Sequence, residues 1–295
     1  MKQTIYILLS TILIAGISCS KDDGGEPIQG KGVTFSKQLK SFGNSYKNFD
    51  KDFELGDEIS VFALKNQNGQ IYDVNNYADN VRYVYRMGSF VAQNNPIYLP
   101  SGNNGLEYYA IFPYSSRAGN NMSFSVLTDQ STSNGYKLSD LRTAYISQTN
   151  STTPNLYFYH SLSQVCIKVD SKDVRNKDFV FYLNVKTQVN VDVESDTYKA
   201  TGHSNLVKMI YDSNTDCHYA IIPPQTISKN DIYIFFDYNG GEFNCEPFTM
   251  DDIFTQGSQY YIPIAPPEVD GGSYRRVVFD GQIRPWEDVD VTSVK

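Results

Sequence analysis

The chain has 295 residues and a formal net charge of −8, from 25 Lys and Arg against 33 Asp and Glu. No basic run interrupts that acidity, which argues against a nucleic-acid binder, whose electrostatic footprint is a basic face. With 23 Tyr, 17 Phe, 20 Gly and 12 Pro, the composition is strand-rich and turn-rich, because aromatic side chains favour strands while Gly and Pro punctuate them.

In chain order, Lys2 comes first, then an apolar run over residues 5–17, then small residues leading to Ser18 and Cys19, after which the chain turns polar at once. That is the three-part layout of a secretory leader. The run is shorter than the about 20 apolar residues a membrane-spanning helix needs. Gly16-Ile17-Ser18-Cys19 resembles a bacterial lipobox, with Gly16 where Leu is commoner. The resemblance implies cleavage between Ser18 and Cys19 and lipidation of Cys19. The plainer alternative is a secreted chain with a Cys near its cleavage point. Ser20-Lys21-Asp22-Asp23 resembles the short Lys-plus-acidic signal that sends lipoproteins of some Gram-negative anaerobes to the outer face of the outer membrane. One acyl chain holds a membrane only marginally, at about 10^4 M⁻¹, whereas several hold it durably. Residues 1–18 are therefore expected to be a leader. Residues 19–31, polar and rich in Gly and Asp, are expected to be a flexible tether.

Strand signals follow. Val33-Thr34-Phe35-Ser36-Lys37-Gln38-Leu39 sets Val33, Phe35 and Leu39 on one face of a strand. Residues 58–64 read as a strand, and the polar stretch 66–70 as a turn. Residues 81–86 alternate, with Val81, Tyr83 and Tyr85 on one face and both arginines on the other, as in a half-solvated antiparallel strand. Residues 97–100 read as a short strand, and residues 106–112 as a buried strand that Pro113 stops. Residues 138–144 are the best short helix. A Ser/Thr/Asn/Pro stretch over 148–155 suggests a boundary between an N-terminal domain, 32–150, and a C-terminal domain, 151–295. Strands then recur at 156–170, 179–186, 205–211, 217–222, 231–238, 260–264 and 275–280, with Asn239-Gly240-Gly241 as a tight hairpin. No βαβ unit and no long helix is predicted. The fold class is all-β, with two tandem antiparallel β-sandwich domains and few short helices.

No chemistry-bearing motif accompanies these strands. A G-x-S-x-G elbow and a phosphate loop are both absent from the sequence. Asp251-Asp252 and Glu287-Asp288 read as solvated acids, since nothing places a second carboxylate opposite at a working distance. The sets Asp73, Asn75, Asp79 and Asp237, Asn239, Gly241 lack the Gly and Glu of a calcium loop and read as polar turns. His160, behind an aromatic run, reads as a structurally bonded histidine. The three histidines are scattered, and Cys217-His218 has no further ligand at usable spacing, so no metal is expected. Besides Cys19, an odd three cysteines remain. Cys166 reads as a buried thiol, and pairing of Cys217 with Cys245 stays open. Neither enzymatic activity nor a cofactor is expected.

Several stretches together resemble the fimbrillin family, lipoprotein-derived pilus subunits of Gram-negative gut and oral anaerobes. Gly56-Asp57-Glu58-Ile59-Ser60-Val61-Phe62 is similar to its opening G-D-x-I-G-V-F strand, with Ser60 replacing Gly. Tyr109-Ala110-Ile111-Phe112-Pro113-Tyr114-Ser115 is similar to its Y-A-x-x-P-Y-S strand. Phe158-Tyr159-His160-Ser161-Leu162-Ser163-Gln164-Val165 is similar to F-x-H-x-L-S-x-V at the start of the second domain. Pro224-Gln225 resembles its P-Q turn, Gly257-Ser258-Gln259-Tyr260 its final hairpin, and Ile283-Arg284-Pro285-Trp286 its closing I-x-x-W. The resemblance runs from about residue 33 to 290.

The resemblance implies two transthyretin-like sandwiches in tandem and assembly on the cell surface by strand exchange. A protease removes the lipidated N-terminal segment with its first strand, and a strand of the next subunit fills the groove. Val33, Phe35 and Leu39 mark the candidate removable strand, and residues 274–291 the candidate donor. Such augmentation rests on main-chain hydrogen bonds and alternate apolar side chains. Four buried side chains at about 2 kcal/mol each supply about 8 kcal/mol before ordering costs. No Arg precedes Arg82, so an arginine-specific protease has no early site, which leaves Lys47, Lys51 or another enzyme. The implied function is a cell-surface fimbrial structural or accessory subunit, held in the outer membrane by its lipid and supporting adhesion. Its implied partners are other fimbrillin-type subunits and a host protein or glycan, not nucleic acid. The alternative is a non-polymerising surface lipoprotein that binds glycan or host protein, for which exposed aromatics in one plane would be the mark.

Overall fold

A computed structural model of the chain describes residues 32–39, 51–65, 76–101, 105–169, 171–172, 174–245, 251–264, 269–270 and 273–274. The leader, Cys19, the acidic stretch after it, Lys47 and residues 275–295 lie outside the described residues. The described chain is β-rich, with one short α-helix among the described residues.

Seven strands close into a barrel: β1 (Phe35–Leu39), β2 (Glu58–Lys65), β3 (Ala78–Arg86), β4 (Ser89–Ala92), β5 (Leu106–Phe112), β7 (Arg142–Thr149) and β8 (Asn155–His160). Their order around the barrel is β1-β4-β3-β2-β5-β7-β8. Alternation decides which side chains fill it. Phe35, Ile59, Val61, Tyr83, Phe90, Tyr108, Phe112, Leu156 and Phe158 form a buried core. Pro113 ends β5 as expected, because proline cannot donate to a ladder. Residues 97–100 form no strand, although the carbonyl of Ile97 accepts from the Val33 N–H at 2.8 Å.

The strand expected over 156–170 is two strands. β8 stays in the barrel. After Ser161 and Leu162 the chain enters β9 (Ser163–Val169), which pairs with β13 (Cys217–Ile222). β9 is central in a second sheet of order β12-β13-β9-β18, with β12 spanning Ile210–Asp212 and β18 Gln259–Ile264. Facing it is a sheet of order β11-β10-β15-β16, from β10 (Phe179–Asp192), β11 (Thr197–Lys208), β15 (Ile234–Tyr238) and β16 (Gly241–Asn244). Val165, Ile167, Phe181, Leu183, Ala220, Ile222, Phe236 and Ile262 fill the space between. The Asn239-Gly240 hairpin forms as read, with φ of 50° and 78° at the two positions. β14 (Gln225–Ile227) and β17 (Asp252–Phe254) add a small pair.

A third core couples the barrel to these sheets. Phe62 and Ile111 from the barrel exterior pack with Tyr136, Leu141, Leu162, Cys166, Val189, Tyr219 and Ile221. β6 (Asn121–Ser125) pairs with β10, extending that strand past the expected residue 186. The Gln130 amide, fully buried, donates to the Ile221 carbonyl at 2.8 Å and accepts from its N–H at 2.8 Å. It thereby serves as a substitute strand partner.

The expected helix is displaced. The helix is α1 (Ser133–Ser139), not residues 138–144. The Thr132 hydroxyl caps the Gly135 N–H at 3.0 Å, and the Ser139 hydroxyl closes on the Gly135 carbonyl at 2.8 Å. Arg142 already pairs in β7, so tertiary pairing overrides local helix preference. Cys217 and Cys245 are not bridged; both are free and buried, as is Cys166. Cys217 packs beside Cys166 in the coupling core, whereas Cys245 sits in the core between the two sheets.

His218 carries a pH dependence. Its ring is buried, donates from Nε2 to the Asn176 carbonyl at 2.8 Å, and is pulled down by burial to a pKa of about 4. The unfolded chain protonates this residue below about pH 6.5 while the folded chain resists until about pH 4, so stability falls as pH drops through that window and levels off below it. Urea unfolding at pH 7.5 and 4.5 should show wild type losing about 2–3 kcal/mol more than His218→Gln. Equal losses would refute this.

Candidate functional site

The site is the place β1 occupies. β1 pairs with β4 in antiparallel register, Phe35 opposite Phe90, and with β8 in parallel register from Ser36–Asn155 to Leu39–Phe158. The Thr34 and Ser36 amides donate to the carbonyls of Thr152 and Pro154 at 3.0 and 3.1 Å. One short strand thus closes the barrel and covers both edges that would otherwise lie open.

Val33 and Phe35 are fully buried. Phe35 meets the rings of Tyr83 and Tyr108 edge-on, each at 5.0 Å. The Tyr83 hydroxyl donates to the Val33 carbonyl at 3.2 Å and accepts from the Ile97 N–H at 3.1 Å. It clips the start of β1 to its neighbour, and burial pushes its pKa up to about 12. Leu39 holds the last register position, opposite Phe158. Lys37 pairs with Asp52 and lies over the rings of Phe53 and Tyr85 at 5.8 and 5.4 Å.

The segment after residues 40–50 is pinned from below. Phe53 meets Phe90, Phe112 and Phe158 at 5.1, 5.2 and 4.8 Å, and so lines the cavity β1 fills. Beneath it Arg142, fully buried, donates from Nε to Asp140 at 2.8 Å and from Nη2 to the Lys51 carbonyl at 2.6 Å. The Asp140 carboxylate also bonds His160 Nδ1 at 2.9 Å. Burial alone would raise the Asp140 pKa, but the charges of Arg142 and His160 hold it below the ordinary value. A second clamp joins Lys137 of α1 to Glu54 and Asp57 at 2.7 and 2.8 Å. Burial of Lys137 opposes its charge, and the bonds to Asp57 and Glu54 outweigh burial and raise its pKa.

Of the residues singled out from sequence, Val33 and Phe35 stand at this site, and Lys51 borders it as an acceptor for Arg142. Tyr83, Phe53, Asp140 and Arg142 were missed. Alternation sets Tyr83 on the correct face, but its hydroxyl's partners are 14 and 50 residues away. Arg142 was hidden inside the expected helix. His160 is bonded structurally, as read. Among the described residues no group of three or more His, Cys, Asp or Glu side chains could hold a metal ion.

A family model described as Fimbrillin-like matches residues 47–286. A structure of a protein described as a cell adhesion protein, from Bacteroides ovatus, is similar at a TM-score of 0.64 and 12% identity, covering 88% of this chain and 99% of that one. Another so described, from Bacteroides uniformis, gives 0.57 at 22% identity, covering 87% and 98%. A fimbrial protein of Bacteroides ovatus gives 0.51 at 19% identity, covering 85% of this chain and 53% of its own. These likenesses establish the fold. No curated protein sequence matches the chain.

Two substitutions test the fit of β1. Phe35→Ala should cost about 3–5 kcal/mol in urea unfolding, as for a fully buried aromatic. Tyr83→Phe should cost about 1–3 kcal/mol and should speed amide exchange across residues 33–37 more than across β9, because it strands buried backbone partners at β1. Uniform acceleration in both strands would show that Tyr83 supports the barrel generally rather than clipping β1.

Proposed function

The chain belongs to the fimbrillin-like family, and on that premise we propose that it is a fimbrial structural or accessory subunit that assembles by exchange of β1 and supports adhesion. It reaches the surface as an outer-membrane lipoprotein. Residues 1–18 are its leader, cleavage falls between Ser18 and Cys19, Cys19 carries the lipid, and Ser20-Lys21-Asp22-Asp23 directs export. Its role is structural rather than enzymatic. The two-domain reading is supported by the grouping of β1–β5, β7 and β8 into one barrel and of most later strands, joined by β6, into a facing pair of sheets.

One observation carries the exchange reading. β1 is an N-terminal strand that closes a barrel with backbone bonds on both sides, yet the buried side chains of Phe35 and of Val33 just before it belong to one core only. Removing it would open that core and leave the other two covered. The exposed ladders of β4 and β8 would then accept a strand from a neighbour, here residues 274–291, by β-augmentation. Proteolysis between β1 and β2, at Lys47 or Lys51, would free β1. A cut at Lys51 must draw its carbonyl away from Arg142.

Protein shaved from intact native cells and run unboiled on an SDS gel should form a ladder of evenly spaced high-mass bands that collapses on boiling. A single band at the size of the lipidated chain would refute polymer formation and favour a solitary surface lipoprotein.

A further inference from the structure

The outer wall of the barrel carries a feature that strand exchange does not use. β8 alternates buried and exposed residues, turning Tyr157 and Tyr159 outward at 40% and 52% exposure. On β7, Tyr145 is 49% exposed. In β5, Tyr109 is the register partner of Tyr145, and their rings lie 4.7 Å apart, inclined at 44°. In β2, Phe62 is the partner of Tyr109 and is buried in the coupling core. Aromatic rings therefore run across the barrel from a buried end at Phe62 to an exposed end at Tyr157 and Tyr159. Thr143, outward on β7, pairs with Tyr159. Anchoring matters, because rings held on strands lose little freedom when a ligand covers them.

The tyrosine-bearing strands of this row carry no exposed cation. Arg142 and His160 are the only basic residues of β5, β7 and β8, and both are buried. Glu107 lies within hydrogen-bonding range of the Tyr145 hydroxyl, and Glu107 and Glu194 both act on Tyr109. Burial, with Tyr145 and these acids, pushes the Tyr109 hydroxyl up to about 12, so it stays protonated. The row thus offers electron-rich ring faces, phenol donors and carboxylate acceptors, and its strands β5, β7 and β8 carry no exposed cation to meet an anionic ligand. The ring faces attract the slightly positive C–H edges of a partner, and the acids accept hydroxyl protons. Neighbouring strands lie about 4.8 Å apart, a spacing comparable to one sugar unit of an extended glycan.

We infer that the Tyr109–Tyr145–Tyr157–Tyr159 face of the barrel is a binding platform for a neutral glycan, on which sugar rings stack while Glu107 and Glu194 accept their hydroxyls. This rests on the adhesive role proposed above and gives that role a ligand class. It does not depend on exchange of β1.

The test uses the full-length chain in detergent on an array of neutral, sialylated and sulfated oligosaccharides, with an Arg/Lys-rich peptide alongside. Wild type should bind neutral glycans and favour them over their sialylated or sulfated forms. The Tyr145→Ala, Tyr157→Ala double variant should bind about tenfold or more weakly, whereas Tyr145→Phe, Tyr157→Phe should retain most binding, because stacking needs the ring. Thermal unfolding checks that the alanine variant folds. A second readout needs no variant: C–H protons of a bound neutral glycan should shift upfield in NMR under the ring currents. Silence of the array, binding only to the peptide or to anionic glycans, unchanged affinity in a folded alanine variant, or no upfield shift would each overturn the platform. The unboiled-gel ladder is read on the same material. A ladder without glycan binding would overturn the platform and leave the assembly reading standing. Glycan binding without a ladder would support the platform and count against assembly.

Discussion

The structure depends on a strand from the start of the described chain reaching across the barrel to pair in parallel with β8. Ser36 and its partner Asn155 are 119 residues apart. Bringing such distant segments together costs loop-closure entropy, but that cost grows only slowly with length. What offsets it is concentrated at a few atoms: the buried side chains of Val33 and Phe35, the ladder bonds to β4 and β8, and the Tyr83 hydroxyl. Without β1 the barrel would present two open edges and an aromatic trough lined by Phe53, Phe90 and Phe158. Open edges invite pairing with other chains. The same feature that makes the barrel vulnerable suits it, in the assembly we propose, to accept a neighbour's strand.

The rest of the chain is arranged so that this vulnerability stays local. The coupling core holds the barrel against the later sheets through Phe62, Ile111, Leu141 and Leu162, and none of its residues lies on β1. Buried amides reinforce it. Gln130 pairs with the Ile221 backbone, while Gln164 donates to Tyr136 and accepts from Gln259. The Asp140–Arg142–His160 cluster secures the far wall of the trough. A buried ion pair adds little net stability by itself, yet removing one member is costly. Such a cluster fixes where residues 51–57 sit, and with them Phe53.

Local signals in the sequence were good guides wherever one residue type decides the geometry. Pro113 stops β5, and Asn239-Gly240 makes the hairpin. They failed where tertiary contacts decide. Residues 138–144 have helical character, but Asp140 and Arg142 are claimed by His160 and Lys51, and the chain turns into β7. The clip formed by Tyr83 was illegible for the same reason, since its partners are set by how the barrel closes. The exposed tyrosines were visible as an aromatic run, but their company was not. Only the strand register brings Tyr109 and Tyr145 side by side on strands whose own basic residues, Arg142 and His160, are buried.

The central claim is that β1 must leave the barrel for subunits to join. Ser36 and Ser89 are direct partners on β1 and β4, a separation of about 4.5–5.5 Å that suits a disulfide. The three described native cysteines are buried and so stand clear of an introduced pair. The measurement is polymer formation by the Ser36→Cys, Ser89→Cys double variant, displayed on cells and compared oxidised and reduced. The account predicts single subunits when β1 is locked to β4 and a ladder when the lock is reduced. A full ladder from the oxidised, verified cross-linked protein would contradict it.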